Sequence, residues 1–212
     1  MATATEVSPG QKNEDRFILR HLDWNAYDAI RRALDDHLTR LTYDGKDLEL
    51  MSPSPIHESY SNLFGRLLSA LALERDIEMR GGRSMTFRRE DVQRGLEPDD
   101  CYWIQNELAV RGKPDINLSV DPPPDLAIEI DITRSSIDRL AIYAKLGIPE
   151  VWLFNGESLR IHQLQSNGAY VEKETSRCLP FLEIQKFIPF LQLDTEVGET
   201  TRVRQFIESI RR

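Results

Sequence analysis

Residues 125–136 read DLAIEIDITRSS, and no other stretch limits the fold as tightly. Leu126, Ile128, Ile130 and Ile132 recur at every second position, which puts them on one face of a pleated strand. Asp125, Ala127, Glu129, Asp131 and Thr133 take the opposite face. One face must therefore go under a core, while the other must find an environment for its acids. Water over an outer sheet face is the bland solution. A cation in a cleft is the sharper one, because neighbouring carboxylates on a strand repel unless something neutralises them.

The surrounding chain reads as a mixture of helices and strands. DWNAYDAIRRALDD, residues 23–36, has a capping aspartate and an apolar face of Tyr27, Ile30 and Leu34. LTRLTYDGKDLELMSP reads as a hairpin turning at Asp44-Gly45. Ser54 is a natural N-cap with Pro55 as first helical residue. Tyr60, Leu63, Phe64, Leu67, Leu68 and Leu71 follow on one buried face, and Gly81-Gly82 marks the break. RSMTFRRE and DCYWIQN read as strands joined by the loop holding Gly95, and Pro122–Pro124 make an extended, helix-proof approach to the acidic strand. Beyond it, Ser135 is placed to cap a helix with Asp138 in its first turn, ending at Gly147. EVWLF, LRIHQL and AYVEK form a closing meander, and RVRQFIESIRR a last helix. This order predicts an α/β (α+β) chain with a mixed sheet flanked by helices. Residues 1–15 are expected to be a disordered tail and 16–212 a single domain.

Composition narrows the function classes. With 212 residues, 40% hydrophobic and 29% charged, the chain can bury a core without staples. A net charge of −8 argues against broad affinity for nucleic acid or anionic membrane, though not against a local basic groove. Cys101 and Cys178 and the four histidines form no zinc-like spacing. Reduced cysteines, no secretory signal and no apolar run long enough for a membrane helix predict a cytoplasmic protein.

Glu129 and Asp131 project from the same side of the strand, whereas Asp125 lies about 13 Å from Glu129, too far to share a cation. Mg2+ takes one or two carboxylates plus water and phosphate, so Glu129 needs a second acid from elsewhere. Pro98-Asp99 and Pro114-Asp115 both offer one. Asp99 enters the apolar segment CYWI and Asp115 a proline-rich connection; a ligand held by a strand is the more rigid, which favours Asp99. His57 lies on the apolar side of its helix and reads as a packing residue. Trp24, Trp103 and Trp152 read as core packing, and Arg83, Arg88 and Arg89 as guards of a strand edge.

Taken together, LTYDGKDLELMSPSPIHE, GLEPDDCYWI, PPDLAIEIDITRSS, DRLAIYAKLGIPEVW and LPFLEI resemble the Uma-two family of restriction endonuclease-like proteins, within the PD-(D/E)-x-K nuclease superfamily. The resemblance spans roughly residues 16–210. It implies a restriction-endonuclease-like core and phosphodiester hydrolysis of nucleic acid, DNA first, with Mg2+ or Mn2+ as cofactor. Carried onto this sequence, the metal ligands are Asp99 and Glu129, with Glu58 as a further acid. The superfamily's lysine, two positions after the glutamate, is replaced by Asp131. The family's basic residue on the following helix falls on Arg139, which shares a helix face with Tyr143 over the acids; Arg139, Tyr143 and Lys145 are the expected substrate-binding residues, and Asp131 is expected to assist catalysis beside Asp99, Glu129 and Arg139. Arginine is a poor general base but a good phosphate clamp. Related nucleases often dimerise to cut both strands, which makes a homodimer an expectation to test. The missing lysine leaves a second expectation open: a degenerate site that binds nucleic acid or a protein without cutting.

Overall fold

The computed structural model describes residues 14–34, 39–133, 135–193 and 196–211. Of the tail expected over residues 1–15, residues 1–13 lie outside this range. Glu14 is buried, and Asp15 opens a strand that the sequence reading did not foresee. The strands are β1 (Asp15–Leu19), β2 (Arg40–Tyr43), β3 (Leu48–Ser52), β4 (Arg80–Gly81), β5 (Phe87–Arg89), β6 (Arg94–Leu96), β7 (Asp100–Trp103), β8 (Leu126–Ile130), β9 (Glu150–Phe154), β10 (Leu159–Leu164) and β11 (Tyr170–Lys173). The helices are α1 (Trp24–Ala33), α2 (Pro55–Arg75), α3 (Glu107–Val110), α4 (Arg139–Leu146), α5 (Ile184–Phe187) and α6 (Glu199–Ile210).

The strands form two sheets flanked by helices. One is antiparallel, in the order β1-β3-β2-β6-β5. The other is mixed, in the order β11-β10-β9-β8-β7-β4, with β8 and β9 as its parallel pair. Parallel neighbours need a crossover, and α4 supplies it. The acidic strand is thus a central strand of a βαβ unit, and it is buried along its whole length. Leu126, Ile128 and Ile130 join the larger core with α2, α5 and α6, while Ala127 joins the core beneath α4. Glu129 therefore faces α4, and Asp125 accepts from the Ile104 and Asn106 N–H groups; both acids are buried, so the solvated-face solution fails for these two, while Asp131 is half-buried.

Local signals account for most boundaries. Asp23 caps α1 through Ala26 N–H, and Ser54 caps α2 with Pro55 in its first turn. The end expected for α1 at residues 35–36 lies outside the described residues. The α2 helix ends at Arg75, with Asp76 in the left-handed region, before the glycine pair. Gly95 lies inside β6 rather than in a loop: a Cβ there would sit 2.1 Å from Tyr27 Oη, so the strand needs glycine for close approach. β5 is an edge strand, and its Arg88 and Arg89 pair with Asp28 and Asp91. All three tryptophans are buried, and both cysteines are buried and free. Among the described residues no helix is long and apolar enough to cross a membrane.

Candidate active site

Glu129 points from the middle of β8 to the underside of α4. Asp138, not Ser135, caps that helix, accepting from Ala141 N–H; Ser135 instead donates to Glu49 at 2.9 Å. The helix therefore starts at Arg139, and the four-residue spacing brings Arg139 and Tyr143 onto the same carboxylate. Arg139 Nη2 donates to Glu129 Oε1 at 2.7 Å, and the Tyr143 hydroxyl donates to the same oxygen. Arg139 also donates to Thr42 Oγ1 at 2.6 Å and to the Glu97 carbonyl at 2.8 Å, while its buried Nε has no hydrogen-bond partner among the described residues. Burial pushes the Glu129 carboxyl up to about 6. The Arg139 charge opposes that rise, and the Asp99 charge adds to it.

Asp99 arrives from the neighbouring strand. The β7–β8 register pairs Asp100 with Ile128, and one step further sets Asp99 opposite Glu129. Asp99 Oδ2 accepts from Ile130 N–H at 2.6 Å. Arg40 Nη1, from β2, donates to Oδ1 at 2.5 Å, and His57 Nε2, from α2, lies 2.8 Å from the same oxygen. The His57 contact is an ion pair bent too far for an aligned hydrogen bond. Burial works against the Asp99 charge, yet His57 and Arg40 outweigh it and hold the carboxyl below the usual range. His57 itself is fully buried. Burial disfavours its charge, but Asp99 on one side and Glu14, 2.5 Å from Nδ1, on the other raise it to about 9. His57 is therefore a cation at neutral pH rather than a packing residue.

An outer ring ties these groups to the first sheet. Arg16 on β1 pairs with Glu14 at 2.9 Å and with buried Glu49 at 2.7 Å. Thr133, beyond β8, donates to Glu14, and Ser136 N–H reaches Glu49 at 3.3 Å. The centre lies where the two sheets meet, between α2 and α4.

A cavity of about 250 Å3 opens on it, lined by Asp99, Glu129, Asp131, Arg139, Arg16 and Asp138 among others. Four of the expected site residues, Asp99, Glu129, Asp131 and Arg139, thus share one cavity. Tyr143 is buried behind Glu129. Glu58 is more than half exposed and does not line the cavity; it accepts from Arg40 Nη2 at 2.7 Å. Lys145 is exposed in the last turn of α4, and Asp115 is exposed in its connection. Sequence reading did not single out Glu14, Arg16, Arg40 or Glu49. A larger cleft of about 580 Å3, between α2, α6 and β7, contains none of the expected site residues.

The donor chemistry fits a hard cation. Asp99 and Glu129 offer carboxylate oxygens to the same cavity, and among the described residues no hydrogen bond ends on Glu129 Oε2. Among those residues no group of three or more His, Cys, Asp or Glu side chains is disposed to hold a metal, so water and phosphate would complete the shell, as Mg2+ commonly allows.

Fold and centre together define an α/β protein with a buried carboxylate–arginine pair at a βαβ crossover. The chain belongs to the Uma2 family, described as "putative restriction endonuclease", whose model matches residues 24–196. A similar solved structure is a crystal structure described as a putative nuclease belonging to DUF820, from Anabaena variabilis ATCC 29413. It is 14% identical, with 79% of this chain and 90% of that chain covered and a TM-score of 0.45. No curated protein matches the sequence.

Proposed function

We propose that the protein is a divalent-metal-dependent endonuclease that hydrolyses phosphodiester bonds of DNA. The observation that carries this reading is the pair of buried carboxylates, Asp99 and Glu129, opposite each other on adjacent strands and open to one cavity with Arg139. Asp99 and Glu129 are the residues to hold Mg2+ or Mn2+; Glu58 lies one guanidinium away and is a helper at most. A bound cation would supply Lewis acidity at a phosphoryl oxygen and a water of lowered pKa. Arg139, charged at any working pH, is the phosphate clamp, and Tyr143 and Arg139 together orient Glu129. Asp131 lines the cavity and can accept a hydrogen bond from water. Exposed Lys145 offers longer-range attraction to the phosphate backbone. A homodimer in the cytoplasm, presenting two centres to two strands, completes the reading.

The test is cleavage of a plasmid with Mg2+ or Mn2+ by wild type, Asp99→Asn and Glu129→Gln proteins of verified fold. Each substitution is expected to reduce the metal-dependent rate by about a hundredfold or more. Equal rates in all three would sink the assignment. A second reading has its own support: each acid is already neutralised by an arginine, as in a site adapted to hold rather than to cut. Retention of DNA without cleavage across Mg2+, Mn2+ and Ca2+ would favour that binding module.

A further inference from the structure

Arg40 ties the buried Asp99 to an exposed acid at the surface. Its guanidinium is about nine-tenths buried and spans two carboxylates, with Nη1 2.5 Å from Asp99 Oδ1 and Nη2 2.7 Å from Glu58 Oε1. A third bond, to the Pro98 carbonyl at 3.2 Å, fixes its plane. The planar fork of arginine suits such a bridge. Arg40 also lines a separate cleft of about 420 Å3 with Glu58, Ser84, Thr86 and Glu97, which lies beside it on the Glu58 side. Glu58, its outer anchor, is exposed and holds it from that side.

We propose that Arg40 is a built-in counter-ion of the centre: it occupies Asp99 in place of a divalent cation and must turn away before one binds. The inference rests on the reading of Asp99 and Glu129 as cation ligands. Arg40 and His57 already bring two positive charges to Asp99 Oδ1, and a divalent cation would be a third charged group there and strongly repelled, so cation affinity is set by the work of displacing Arg40. His57 stays on Asp99 as a permanent partner, boxed in by Glu14, whereas Arg40 has the neighbouring cleft and Glu58 to receive it.

The experiment is calorimetric titration of Mn2+ into the full chain without nucleic acid, for wild type, Arg40→Gln and Arg40→Lys. Arg40→Gln removes the competing charge and is expected to bind Mn2+ about tenfold or more tightly than wild type. Arg40→Lys keeps the charge and is expected to stay near wild type. Unchanged or weaker binding by a folded Arg40→Gln protein overturns the inference. A crystal of wild type soaked in Mn2+ decides the matter even if Arg40→Gln does not fold. Anomalous density at Asp99 with Arg40 withdrawn toward Glu58 supports the proposal, and density at Asp99 with the 2.5 Å contact intact overturns it. Absence of both heat and density in wild type and variants alike overturns the cation-ligand reading itself, a result distinct from binding with Arg40 in place.

Discussion

Glu129 is a buried acid whose ionisation is set by opposing neighbours. Burial raises its pKa, Arg139 restrains the rise, and the Asp99 charge adds to it, leaving a midpoint of about 6 against an ordinary value of 4.5. Replacing Asp99 with asparagine removes the like charge and keeps the shape. The Glu129 midpoint, followed by carbon NMR of the labelled carboxyl, is expected near 6 in wild type and lower in Asp99→Asn. An unchanged midpoint would mean that burial alone sets it. His57 illustrates what single-residue reading misses. Its neighbours at helical spacing are apolar, so sequence assigns it to packing. Its charge comes from Glu14 and Asp99, 43 and 42 positions away, and no local pattern reports such partners. Arg40 escapes notice for the same reason, since its contact with Asp99 spans 59 positions.

Elements, by contrast, were legible wherever the signal was local. The cap and first-turn proline of α2, the alternation of β8, the stop of α4 at Gly147 (φ +80°) and the closing strands β9 to β11 all follow from neighbours within a few residues. The misses have physical causes. β1 exists because β3 pairs with it across the 15–52 register, and its own five residues carry little periodicity. β6 is a strand despite Gly95 because Tyr27, stacked 4.6 Å from Tyr43, leaves no room for a side chain. Ser135 and Asp138 are both good N-caps, and Glu49 on the distant β3 decides between them by taking Ser135. Two expectations follow. Asp138→Ala removes the α4 cap and should cost about 1 kcal/mol in urea unfolding, with Ser135→Ala failing to reproduce that loss as a capping effect on α4. Gly95→Ala forces the Tyr27 ring aside and should cost about 1–3 kcal/mol in the same assay. An Asp138→Ala protein as stable as wild type would remove the cap from the account of how Arg139 is positioned.

At the scale of the whole molecule, the centre is where the two sheets are joined by charge. Arg16, Arg40 and Thr42 come from the first sheet, Glu129 from the second and Asp99 from just before β7, with His57 and Arg139 reaching in from helices on either side. A fold held together by such a network depends on pH in a direction that follows from its members. Asp99 and Glu14 have lowered pKa values, so their contribution is present above the ordinary carboxylate range and is lost on acidification. Glu129 has a raised pKa, so its contribution is present below 4.5 and lost as pH rises to about 6. His57 is raised from 6.5 to about 9, so its contribution is complete below 6.5 and lost as pH rises through 9. That last shift corresponds to a contribution on the order of 3 kcal/mol. Stability should therefore peak at mildly acidic pH and decline on the alkaline side, and the melting temperature at matched ionic strength should fall between pH 6.5 and 9. His57→Gln keeps much of the shape but has no proton to lose in that window, so its profile there should be flat from a lower starting point. A wild-type profile already flat between pH 6.5 and 9 would mean that His57 is neutral in the folded protein. Arg40 would then be the sole buried cation on Asp99, and the work of displacing it would govern the whole centre.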